Sequence, residues 1–171
     1  MKIIDNFLPD YEFKQLQSIA LSDYFPWYWN DKILAEKDKD YNPKDYQFCH
    51  IIFNNRPPWN GKCSEYYEVL ENSSIFSLLD IKELYRIKFN LTHRTNFRQG
   101  SGWHIDFENK PEIKNTAVYY LNTCNGYTKF KKGGKVKSVA NRMVIFDSRL
   151  WHQGYTCTHK KRRVVINFNW I

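Results

Sequence analysis

The chain predicts a β-rich α+β fold, and three features of the sequence lead there. Residues 47–53, 84–92, 116–122, 143–146 and 163–170 are short runs that are continuously apolar or alternate with period two. Only 10–20 and 64–79 repeat apolar side chains at helical spacing, and both precede most of the strands. Aromatic residues make up 18% of the chain, a load that suits large rings filling the space beside sheets.

In order, residues 1–8 read as a short strand and entry turn, with Ile3, Ile4, Phe7 and Leu8 as apolar anchors. Pro9-Asp10 opens a helix with Asp10 as its N-cap, Glu12 in its first turn and Phe13, Leu16, Ile19 and Ala20 on its inner face. This helix should lie outside a sheet. The cluster Phe25-Pro26-Trp27-Tyr28-Trp29 reads as packed core or an entering strand, with a substrate-stacking wall as the alternative. Residues 30–45 are polar and charged, hence a loop placed to overhang a pocket. His50, inside the buried strand 47–53, reads as a hydrogen-bonded core histidine rather than a ligand. Pro57-Pro58 marks a turn, and 64–79 is a second helix with Tyr67, Leu70, Ile75, Leu78 and Leu79 facing inward. Gly133-Gly134 is the turn of a hairpin flanked by 128–130 and 135–138. No repeat, linker or composition break divides the sequence. We expect one domain over 1–171, with support in 1–83 and a core in 84–171.

At 171 residues the chain is long enough for a sizeable core, and 42% of it is hydrophobic. No apolar run is of spanning length, and the N-terminus lacks the pattern of a cleaved leader, so no membrane partner is expected. Cys49, Cys63, Cys124 and Cys157 have no Cys-x-x-Cys spacing, which favours reduced thiols in the cytoplasm over a disulfide or zinc framework. The net charge of +8 gathers at 129–137 and 160–163. It is read as a soluble basic surface with 131–135 as a solvated turn. The functional alternative is attraction to nucleic acid or an acidic protein.

The chemistry centres on Gly102-Trp103-His104-Ile105-Asp106. On an extended segment, side chains two apart share a side, so the His104 imidazole and the Asp106 carboxylate lie together. His152 is the best distant candidate for a third ligand. Two histidines and a carboxylate on one face of an octahedron leave three positions open, the arrangement of non-heme Fe(II) oxygenases. Eleven residues on, Arg163 opens the last strand and offers the cation that a dicarboxylic co-substrate requires. Trp103 and Trp151, neighbours of ligands, should point away from the metal.

This ordered set resembles the 2-oxoglutarate/Fe(II)-dependent oxygenases, nearest to prolyl 4-hydroxylase-like members and their short phage-encoded forms. The resemblance runs from about Leu84 to the C-terminus. It includes Arg86-Ile87-Lys88-Phe89-Asn90-Leu91, Tyr119-Tyr120, Gly126-Tyr127-Thr128-Lys129-Phe130 and Asn141-Arg142-Met143-Val144-Ile145-Phe146-Asp147-Ser148. It implies a double-stranded β-helix (jelly roll) buttressed by the N-terminal helices. It implies Fe(II) on His104, Asp106 and His152, with 2-oxoglutarate and O2 as co-substrates and ascorbate as an auxiliary reductant. Arg163 aligns with the family's basic residue for the distal carboxylate, with Arg162 as its rival. Tyr120 aligns with a tyrosine touching the same group, against a reading as core aromatic. Thr128, Asn90, Asn167 and Thr92 are further pocket candidates, each against a reading as sheet-edge hydrogen bonding.

The implied reaction is hydroxylation of a C–H bond, of a protein or peptide side chain of the prolyl type, giving succinate and CO2. Asp106 stands where related halogenating enzymes carry a small residue, which favours hydroxylation or demethylation. Nucleic-acid demethylation is the first alternative, but that branch carries a second arginine six residues after the first, where this chain has Asn169. A zinc hydrolase and a catalytically inactive jelly-roll binding module are the others. Substrate choice should lie in loops 30–45, 93–101 and 107–113. The location implied is the cytoplasm, that of the host for a phage protein, and oligomeric state is not legible.

Overall fold

The computed structural model describes residues 1–171 except Ala35, Lys37 and Glu108, three positions of the expected loops 30–45 and 107–113 that lie outside the described residues. In order the elements are β1 (Lys2–Ile4), α1 (Asp10–Leu21), β2 (Tyr28–Asn30), β3 (Gln47–Asn54), β4 (Gly61–Lys62), α2 (Tyr67–Glu71), α3 (Ile75–Leu78) and β5 (Leu84–His93). Then follow β6 (Asn115–Tyr120), β7 (Tyr127–Phe130), β8 (Lys135–Lys137), β9 (Arg142–Asp147), β10 (His152–Tyr155) and β11 (Arg162–Trp170).

An eight-stranded antiparallel sheet runs β1-β9-β6-β11-β5-β3-β2, with β4 on β3, and faces a three-stranded sheet β10-β7-β8. This is the double-stranded β-helix architecture. Period two sorts the side chains of the large sheet. Along β11, Val164, Ile166, Phe168 and Trp170 face the helices, where they join Phe13, Leu16 and Ala20 of α1 and Leu70 and Ile75 of α2 and α3 in the main core. Arg163, Val165, Asn167 and Asn169 take the other face, towards the small sheet. A second apolar cluster between the sheets joins Val118, Tyr120, Val144, Phe146 and Val165 to Phe130 and Val136 of the small sheet.

Five expectations need correction. Pro9, not Asp10, occupies the N-cap position of α1, in extended backbone and with no side-chain cap, and Asp10 is the first helical residue. The expected helix 64–79 is two short helices. Between them the Ser73 hydroxyl donates to Leu70 O at 2.8 Å, and Ser74 donates both its N–H and its hydroxyl to Glu12 at 2.8 Å. Ser and Asn side chains that bond nearby backbone compete with the helical ladder, so the run Asn72-Ser73-Ser74 breaks it. Leu78, assigned to the inner face, is 49% exposed, and the anchor Ile3 is 47% exposed. Finally, 102–106 is not a regular strand: it touches β10 through single bridges, Gly100 to Tyr155 and His104 to His152.

Candidate metal centre and co-substrate pocket

The His104–His152 bridge brings the two imidazoles together. Their backbones exchange hydrogen bonds of 3.0 and 2.9 Å and their ring centroids are 4.5 Å apart. Asp106 follows on the same side, its Oδ1 4.0 Å from His104 Nε2. One ligand atom from each of His104, Asp106 and His152 lies within 4.8 Å of the others, the one such cluster among the described residues.

Both rings are oriented alike. His104 Nδ1 faces Gly102 O at 3.1 Å and His152 Nδ1 faces Leu150 O at 2.9 Å. Each carbonyl holds the proton on Nδ1 and leaves Nε2 as the metal donor. Gly102 has φ +81, a conformation favouring glycine, and a Cβ there would stand 2.5 Å from Leu34. Burial, then the neighbouring His152, pushes the His104 imidazole down to about 4, so it is neutral and ready to coordinate at neutral pH.

The Asp106 carboxylate is held from three sides. Asn169 Nδ2 donates to its Oδ2 at 2.9 Å, Arg86 Nη2 lies 3.4 Å from Oδ1, and the Thr116 hydroxyl is 3.5 Å away. Arg86 Nε in turn donates to Asn169 Oδ1 at 3.0 Å. Burial opposes ionisation, but Arg86 and the two imidazoles outweigh it and hold the carboxyl well below the usual range.

Across a cavity of about 340 Å³ from this triad stands Arg163. It is only 5% exposed and has no carboxylate partner among the described residues. Its Nε donates to Ser138 Oγ at 2.8 Å and its Nη2 to Thr128 Oγ1 at 3.1 Å. Tyr120 donates to the same Thr128 oxygen at 2.8 Å, and its ring centroid is 5.5 Å from the guanidinium carbon. Gly126 makes the room: a Cβ there would meet Arg163 Cδ at 2.7 Å and Tyr155 O at 2.8 Å. Arg162 faces the helices instead, and donates to Leu21 O.

Asn90, Thr92 and Asn167 line the cavity between these poles. Asn90 Oδ1 and Thr92 Oγ1 are buried without partners, as expected of groups awaiting a ligand. Sequence reasoning did not assign Arg86 or Lys88 a role, although both share the inward face of β5 with Asn90 and Thr92. Period two was the signal. Lys88 lines the cavity, and burial, then Arg86, pushes its ammonium down to about 8.

Other candidates fall outside the site. Trp103 and Trp151 turn away from the triad, under Lys129 at 5.9 Å and Lys131 at 5.2 Å. His50 packs on the helix side against Phe25 and Tyr66, with ring centroids 5.0 and 5.6 Å away. Phe25 and Trp27 belong to the core, whereas Trp29 stacks on Tyr46 at 4.4 Å and Tyr46 on His93 at 4.8 Å. Tyr46 and His93 reach the cavity wall, as do Leu34 and Asp45 of the 30–45 loop.

The donor set and its tautomers fit a divalent iron, and the cavity with a buried cation opposite fits a dicarboxylate. Residues 90–171 match the family model described as "2OG-Fe(II) oxygenase superfamily". No curated protein matches. Among solved structures, the chain is similar to an oxidoreductase of the 2OG-Fe(II) oxygenase family from Burkholderia pseudomallei. The TM-score is 0.67 and the identity 10%, over 98% of this chain and 84% of that one. A prolyl hydroxylase from Trichoplax adhaerens, in complex with a hypoxia inducible factor peptide fragment, gives 0.65 and 16% over 99% and 82%. A viral collagen prolyl hydroxylase from Paramecium Bursaria Chlorella virus-1 gives 0.57 and 15% over 99% and 96%. At these identities the structural likenesses speak for the fold. The family match adds the chemistry: its 82 residues, just under half of the chain, carry the His-Asp-His cluster and support a 2-oxoglutarate-dependent dioxygenase using Fe(II) and O2.

Proposed function

We propose that this dioxygenase hydroxylates a C–H bond of a protein side chain, of the prolyl type, releasing succinate and CO2. The observation that carries the co-substrate half is Arg163, a buried guanidinium without an acidic partner, facing the triad across the cavity. His104, Asp106 and His152 hold the iron through the two Nε2 atoms and one carboxylate oxygen. Arg163 takes the distal carboxylate of 2-oxoglutarate, with the Tyr120 and Thr128 hydroxyls beside it. Asn90 and Asn167 bond the co-substrate along its length. When bound, iron and 2-oxoglutarate together activate O2 for oxidation of a C–H bond. Val118 and Val165 keep the floor apolar, and Asn169 and Arg86 fix the carboxylate ligand.

A peptide substrate is favoured by two features. Structures of similar fold include a prolyl hydroxylase holding a peptide fragment. The cavity wall also offers Lys88, a donor for a main-chain carbonyl, whose ammonium makes no hydrogen bond or ion pair among the described residues. We assign residues 1–171 to one catalytic unit with its core in 84–171, and its setting to the cytoplasm, which accords with four unpaired cysteines. No helix among the described residues is long and apolar enough to cross a membrane. The test is a peptide-library screen with Fe(II), 2-oxoglutarate and O2, read by mass spectrometry. The expected product is a peptide heavier by one oxygen atom, absent with Asp106→Ala. Turnover of 2-oxoglutarate stimulated by no peptide, but by another substrate class, would overturn the protein-directed reading.

A further inference from the structure

The outer face of the small sheet is both basic and aromatic. Its strands alternate strictly. Thr128, Phe130 and Val136 point inward and are buried. Tyr127, Lys129, Lys135 and Lys137 point outward, with Tyr155 beside Tyr127 and Lys137 on its other flank. Residues 127–137 contain five lysines and no acidic residue, and none of those lysines forms an ion pair among the described residues. Charge on a solvated turn would leave the lysines over open water. Here the cations instead lie over rings: Lys135 and Arg98 over Tyr127 at 5.2 and 5.6 Å, and Lys131 over Trp151 at 5.2 Å. Tyr127 and Tyr155 stack at 4.4 Å, and Trp151 is 44% exposed. Trp103 sits at the edge, under Lys129 at 5.9 Å. Its backbone N–H donates to Asp40 Oδ2 at 3.0 Å.

We infer that this face binds single-stranded nucleic acid, a function additional to the oxygenase chemistry. Lysines track phosphates, and the exposed Trp151, with the half-buried Tyr127 and Tyr155 along the sheet, offers ring surface to unpaired bases, whose faces a duplex hides. The two halves serve different parts of one ligand, which an acidic protein or a lipid surface does not require. The face lies on the far side of the small sheet from the metal ligands, so binding needs neither iron nor 2-oxoglutarate.

The test is fluorescence anisotropy of the full chain with a labelled oligothymidylate, over a salt series. Matched duplex, heparin and phosphatidylserine vesicles serve as competitors. Expected is binding that weakens steeply with salt and favours the single strand over the duplex. Lys129→Glu/Lys135→Glu should lower affinity on the order of tenfold at low salt and reduce the log–log salt slope by about 1.4. Trp151→Ala should lower affinity by about fivefold or more while leaving the slope unchanged. Lys129→Gln/Lys135→Gln gives the same reading if charge reversal disturbs folding, which circular dichroism reports. Unaltered binding in these variants, duplex bound as well as single strand, or heparin and vesicles bound equally with no loss in Trp151→Ala would each overturn the proposal. Because the readout is binding, it stands or falls apart from the hydroxylation assay.

Discussion

Arg162 and Arg163 are neighbours in sequence with opposite surroundings. A one-residue step along β11 sends Arg162 to Leu21 on the helix side and Arg163 into the cavity beside Thr128 and Ser138. Arg163→Ala is therefore expected to raise the 2-oxoglutarate requirement roughly 10- to 100-fold, the loss of charge-assisted hydrogen bonds worth about 1.5–3 kcal/mol. Iron binding should persist. Initial-rate kinetics against 2-oxoglutarate check this, and an unchanged requirement would remove Arg163 from that role. The meeting of His104, Asp106 and His152 was legible because ligand chemistry restricts residue types and parity restricts direction, whereas Arg163 and Tyr120 were singled out by the family resemblance, parity alone leaving Arg162 as a rival. Asn169 was legible only as a departure from the demethylase pattern. Its bond to Asp106 depends on β11 and the 102–106 segment meeting in space, which no local spacing encodes.

At the scale of elements, the hairpin and the N-terminal segment each hang on one small position. Gly126 lies where a Cβ would strike Arg163 Cδ and Tyr155 O. Gly126→Ala should thus behave as a milder Arg163→Ala, with a several-fold rise in the 2-oxoglutarate requirement and little change in thermal stability. Wild-type kinetics would contradict this. Asn141, at φ 60, ties the segment after β1 to the sheet. It accepts from Leu8 N at 3.0 Å and Tyr119 OH at 2.6 Å, and donates to Leu8 O at 2.9 Å. Asn141→Ala removes these buried bonds and places alanine in left-handed backbone. About 2–4 kcal/mol should be lost, lowering Tm by roughly 4–16 °C in a chain of this size. A shift under 2 °C would show the tie to be dispensable. The long strands 47–53, 84–92 and 163–170 were readable because their pattern persists over many residues. The break between α2 and α3 was not, because the Ser74 bonds to Glu12 span the chain from one helix to another. β10 was missed for a similar reason: a four-residue strand containing glycine pairs mainly by virtue of its neighbour β7.

For the molecule as a whole, the helix side of the large sheet buries the imidazole of His50. Burial keeps the His50 imidazole below its ordinary value, hence neutral in the folded chain. The unfolded chain takes up that proton first, near pH 6.5. The stability this contributes is therefore complete above that pH and lost as pH falls through the lowered folded value. Urea unfolding at pH 7.5 and pH 5.5 should show a smaller loss for His50→Phe than for the wild type, and equal losses would refute it. The two-sheet frame holds one ligand set at one end of a cavity and the Arg163 guanidinium at the other, and the oxygenase reading depends on both being occupied together. The direct measurement is anaerobic titration of the chain with Fe(II) and then 2-oxoglutarate, followed in the visible range. The account predicts a charge-transfer band saturating at one iron and one 2-oxoglutarate per chain and lost in Asp106→Ala. Titration without such a band, or a band that survives in Asp106→Ala, would contradict it.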